Sequence, residues 1–184
     1  VNAAVREQYK TVIIANSEGL YAQDERAYCR FFVSAVAHSG SDHQSGSASP
    51  GAHAGSEFLD TLDIDALARS AADCAVTMLH APLCPAGIMP VVMDNGFGGV
   101  IFHEACGHSL EATSVARGNS VFCGKLGTRI GSEKVTAYDD ATIPGAWGSL
   151  NINDEGEPTR RIKLLDKGVL TSYMIDKLGS RRMN

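Results

Sequence analysis

Residues 96–111 read Gly96-Phe97-Gly98-Gly99-Val100-Ile101-Phe102-His103-Glu104-Ala105-Cys106-Gly107-His108-Ser109-Leu110-Glu111, and the rest of the chain is parsed around this run. Three glycines permit a sharp bend, an apolar triplet follows, and two histidines then bracket a glutamate. Imidazoles bind zinc, and a neighbouring carboxylate can activate the ion's water. His103 and His108 are therefore the candidate metal ligands, with Glu104 as candidate general base.

The two histidines are separated by five residues rather than four. At about 100° per residue, five steps leave them roughly 140° apart around an α-helix, too far to aim both rings at one ion. A single-turn π-bulge would absorb the extra residue, and Gly107 is the position that tolerates such a distortion most easily. The expectation is a helix over about 99–117, distorted inside the motif and closed by Gly118-Asn119. The glycines do not make a nucleotide loop: the third position of G-x-G-x-x-G falls on Ile101, and no Gly-Lys-Ser/Thr follows.

Upstream, Ile88–Met93 reads as a short apolar strand feeding the glycine turn. Asp63 caps a helix whose apolar stripe is Leu67, Ala71, Cys74, Ala75, Met78 and Leu79, which places Cys74 in the core. Residues 38–56 are mostly Gly, Ser, Ala, His and Asp and read as a mobile loop, with His38, His43 and His53 solvated. Apolar residues at the odd positions from Cys29 to Ala37 predict a strand with one face on the core. Asn16-Ser17-Glu18-Gly19 has turn chemistry between Lys10–Asn16 and the return strand Leu20–Gln23.

Downstream, short strands are expected at 120–124, 134–138, 149–152, 161–165 and 169–174, the last two joined by the hairpin turn Asp166-Lys167-Gly168. The Asn151–Glu157 turn is acidic, but the bidentate acid of a calcium loop would fall on Ile162. The predicted fold class is α+β: antiparallel β-sheets with a few helices, one of which carries the H-E-x-x-x-H motif.

The 184 residues are 44% apolar, enough for one substantial core, so residues 1–184 are taken as a single region. No apolar run is long enough to span a bilayer. A start on Val1 without an initiator methionine suggests a piece of a longer protein. A net charge of −5 opposes phosphate-backbone binding, so no nucleic-acid partner is expected and duplex DNA should not bind appreciably at physiological salt. Five cysteines without C-x-x-C spacing favour free thiols and a cytoplasmic setting.

The motif, its glycine entry and its Ser109-Leu110-Glu111 tail, together with Ile14–Gly19, Pro85–Val92, Asp139-Asp140, Asn153–Gly156 and Asp176-Lys177-Leu178, resemble the TldD/PmbA family, the modulator-of-DNA-gyrase group of zinc metallopeptidases. The metal motif points to a TldD-type member, because PmbA-type subunits generally lack it. The resemblance implies a zinc-dependent peptidase acting on extended or unfolded polypeptides in a strand-lined channel, paired with a PmbA-type subunit or with itself. It also implies a third ligand, a cysteine beyond the end of this chain; Cys106 and Cys123 are the alternatives within it. Glu104 matches the family's general base. Glu111 either orients the His108 imidazole or is solvated. Imidazole also suits nickel, copper and iron. The competing reading is a noncatalytic polypeptide-binding or assembly subunit with structural histidines.

Overall fold

The computed structural model describes residues 1–183 and has the expected α+β character, but it divides into two compact units where one core was expected. Each unit is discontinuous in sequence. The first comprises residues 1–87 and 142–159, the second 88–141 and 160–184.

In the first unit, β1 (Asn2–Ala15) and β2 (Tyr21–Ser39) form an antiparallel hairpin, with Ala15 opposite Tyr21. Its turn is built as the residues suggest. The Asn16 carboxamide oxygen accepts the N–H groups of Glu18 and Leu20, and Gly19 adopts φ 88°. The two strand segments expected separately at 20–23 and 28–37 are one strand. Asp24 and Arg26 lie between those segments; they interrupt the apolar alternation but are buried together, 2.9 Å apart.

Residues 38–56 are not a loop. They complete β2 and form β3 (Asp42–Ala48) and β4 (Gly51–Ala52), both paired with β2. The small residues that suggested flexibility are there for packing. Helix α1 (Ile64–His80), capped by the Asp63 carboxylate on the Ala66 N–H, lies directly on β3 through the fully buried Ala71 and Ala75. A Cβ on Gly46 would overlap the Ala71 carbonyl and come within 2.7 Å of the Ala75 nitrogen. Because α1 settles on its alanines, Cys74 is exposed rather than in the core. Gly46→Val is expected to cost about 3 kcal/mol, the upper end for overpacking. A shift in the urea midpoint measures it, and an unchanged midpoint would show that α1 is free to slide.

The outer part of the sheet receives residues 142–157. Trp147 packs on Gly51 and near Tyr28, whose ring stacks on His53. The Asn151 amide donates to Asp24, and Arg26 donates to the Ile152 carbonyl. Burial alone would raise the Asp24 pKa, but these hydrogen bonds from Asn151 and Arg26 outweigh it and hold the carboxyl below its ordinary value. The Asn151–Glu157 turn is thus a docked element of the first unit, and residues 149–152 are not a strand.

In the second unit, β5 (Ala137–Asp140), β6 (Arg161–Asp166) and β7 (Val169–Leu170) form an antiparallel sheet. Lys167 and Gly168 make the predicted hairpin turn, both with positive φ. Leu110, Val115, Leu164, Leu165, Leu170 and Tyr173 form the core. Residues 120–124 are turns rather than a strand, and 88–93 lack regular structure. Pro90 interrupts the latter run, and no described strand lies beside it. Helix α4 (Lys177–Met183) closes the unit.

Candidate metal centre

The motif does not lie on one continuous helix over 99–117. A 3₁₀ turn at Gly96–Gly99 leads into the single α-helical turn α2 (Val100–Phe102), then a π-helical turn at His103–Gly107 and a 3₁₀ turn at His108–Leu110. The His108 N–H donates to the His103 carbonyl, an i to i−5 bond, so the extra residue is absorbed where the spacing required it. Gly107 itself sits at φ −54° with room for a Cβ, so its glycine is not demanded by the backbone.

The chain then leaves helical geometry. Glu111 is extended, at φ −71° and ψ 136°, and forms a parallel bridge with Met174. The Leu110 carbonyl accepts the Met174 N–H at 2.9 Å, and the Ala112 N–H donates to the Met174 carbonyl at 2.8 Å. Leu110 is fully buried, which anchors this end of the motif in the core before α3 (Ala112–Val115) begins.

The π turn brings the two imidazoles together, with ring centroids 4.4 Å apart at 67°. Donor atoms of His103, Glu104 and His108 all lie within 4.8 Å of one another, and all three residues are exposed. Two imidazoles and a carboxylate at this separation fit a borderline divalent ion. Glu104 Oε2 stands 3.7 Å from His108 Nε2, and Glu111 Oε1 stands 2.8 Å from His108 Nδ1. The Glu111 hydrogen bond raises the His108 pKa above its ordinary value; desolvation opposes this, and the charges of Glu111 and Glu104 add to it.

Neither cysteine near the motif joins this group among the described residues. Cys106 is partly buried and packs against the core, where burial raises its thiol pKa. The Cys123 thiol donates to the Val115 carbonyl at 3.4 Å. The remaining histidines lie in the first unit: His38 faces His43 across β2 and β3, His53 stacks on Tyr28, and His80 ends α1. The Glu111 contact was one of two readings open at sequence level. The buried Asp24–Arg26 pair was missed, and its i, i+2 spacing within a strand was the available signal.

Residues 1–79 match a model of the PmbA/TldA metallopeptidase central domain, and residues 86–184 match that of its C-terminal domain. The chain is 35% identical to a metalloprotease TldD homolog of Buchnera aphidicola over 100% of its own length and 40% of that protein. It is 36% identical to the Haemophilus influenzae homolog over 100% and 39%. It thus spans about two fifths of these curated relatives. A crystal structure of a Thermotoga maritima protein, named for a proposed modulation of DNA gyrase, superposes with a TM-score of 0.83 at 25% identity, over 98% of this chain and 41% of that one. TldE from Thermococcus kodakarensis shares the fold at a TM-score of 0.72 and 19% identity, over 98% and 40%. With both of its halves matched by the family's consecutive domain models, the chain belongs to the PmbA/TldA metallopeptidase family.

Proposed function

We propose that this chain carries the metal-binding and general-base half of a zinc-dependent peptidase active site. The observation behind this reading is the π turn, which draws His103, Glu104 and His108 to within 4.8 Å while leaving all three exposed to a substrate. His103 and His108 would hold the ion, whose Lewis acidity would polarise the scissile carbonyl and an attacking water. Glu104, beside them, takes the water's proton and passes it to the leaving amine.

The substrate class is extended or unfolded polypeptide, whose backbone can reach an exposed donor group. The partner is a PmbA-type subunit, the alternative being a homodimer. Five free cysteines suit a reducing, cytoplasmic setting, and no described helix is long and apolar enough to cross a membrane. The third ligand is assigned outside the described group, since Cys106 and Cys123 are engaged in the core.

Because this chain offers only two of the usual three ligands, it is expected to hold zinc weakly by itself, and zinc titration of the full-length protein beside its His103→Ala and His108→Ala variants tests the assignment. Each substitution is expected to weaken binding at least tenfold, because a chelate that loses one of two imidazoles retains little affinity. Equal affinity in all three proteins would refute it.

A further inference from the structure

We infer that Glu111 is the positioning residue for His108, holding the imidazole in the tautomer that leaves Nε2 free for the ion; this rests on the metal reading of the motif. A neutral imidazole carries its proton on either nitrogen, and only the unprotonated nitrogen can bind a metal. An ionised carboxylate can only accept. At 2.8 Å from Glu111 Oε1, Nδ1 is therefore the donor, and Nε2 presents its lone pair. That nitrogen is the one 3.7 Å from Glu104 Oε2, and both residues belong to the group of three donors.

What separates this contact from an ordinary solvated pair on a helix surface is how Glu111 is held. Three residues along a regular helix, a glutamate would swing through several rotamers from a fraying end. Here the helix has already stopped. Glu111 is extended, and the peptide groups on both sides of it are bonded to Met174. Its neighbours Leu110 and Ala112 are buried, so the carboxylate is offered to His108 from a fixed origin although the side chain is itself 43% exposed. The parallel bridge thus serves the site as well as the fold: it sets which imidazole nitrogen faces the ion.

The tautomer can be read directly, without activity and without metal, from two-bond proton–nitrogen correlations of the imidazoles in the ¹⁵N-labelled chain at a pH where the rings are neutral. His103 provides the internal control. Native His108 is expected to show the proton on Nδ1, and Glu111→Ala to lose that preference. Glu111→Gln should retain part of it, because its amide oxygen still accepts. Zinc affinity, measured by chelator competition, should fall roughly 10–100-fold in Glu111→Ala. The Met174 bridge uses only backbone groups, so these variants keep the fold, which amide spectra verify.

An unchanged His108 tautomer in Glu111→Ala overturns the inference, even with zinc still bound. An altered tautomer with unaltered zinc affinity also overturns it, since the ion would then not depend on Nε2. If the full-length protein takes up no zinc while the Glu111-dependent tautomer is present, the metal reading falls and the positioning of His108 by Glu111 stands.

Discussion

Glu104→Gln is expected to lower peptide hydrolysis by the full-length protein about 10²–10⁴-fold, the usual contribution of a positioned general base, while bound zinc stays unchanged. The substitution keeps the side chain's size and removes only its capacity to take a proton. Glu104 is exposed, at one end of the π turn, and its Oε2 lies 3.7 Å from His108 Nε2. It can therefore reach a water beside the imidazoles without moving the backbone. Metal content separates the two roles open to a carboxylate in this position. A parallel loss of zinc would make Glu104 a ligand rather than a base, and unchanged turnover would remove it from the chemistry.

Arg26→Met should destabilise the first unit by about 3–5 kcal/mol, as expected when one partner of a buried pair is removed. Asp24 and Arg26 are only 7% and 8% exposed, and Arg26 also donates to the Ile152 carbonyl. Its loss leaves the buried carboxylate uncompensated in charge, with the Asn151 amide as its remaining donor, and takes a donor from the carbonyl. Because the Asp24 pKa is lowered in the fold, its contribution is present above the ordinary value of 3.8 and is lost as pH falls through the lowered native value. Without the guanidinium, its hydrogen bond and charge no longer oppose burial, so the acid-labile window should move upward in Arg26→Met. Urea denaturation at several pH values measures both effects. A loss below about 1 kcal/mol would show a pair screened by solvent, worth no more than an exposed one.

The parts of the fold legible in the sequence were those where one local signal fixes geometry. Asp63 capped its helix, Lys167-Gly168 made a two-residue turn, and the five-residue histidine spacing demanded a π turn. The misread parts depend on partners distant in sequence. Gly46 and its serine neighbours looked flexible because nothing local shows that α1 presses on them from about thirty residues away. Asp24 and Arg26 looked like the end of a strand because Asn151 and Ile152 satisfy them from the far end of the chain. Ile88–Met93 had the composition of a strand, but a strand needs a neighbour as well as a composition. At the site, the ligand types and their spacing were readable, whereas the choice between a solvated Glu111 and an engaged one depended on Met174, 63 residues on.

The discontinuous first unit also sets an order of events during synthesis. Its sheet and helix have all emerged by residue 87, yet Asn151 and the Ile152 carbonyl, which partner the Asp24–Arg26 pair, arrive more than sixty residues later. At about 5–20 residues per second that is a wait of several seconds, during which a charged pair lies on a partly built sheet without its cover. The nascent hairpin is therefore a waiting state, completed only when the chain returns from building most of the second unit. Slowing translation after residue 87 would lengthen its exposure to proteases and chaperones.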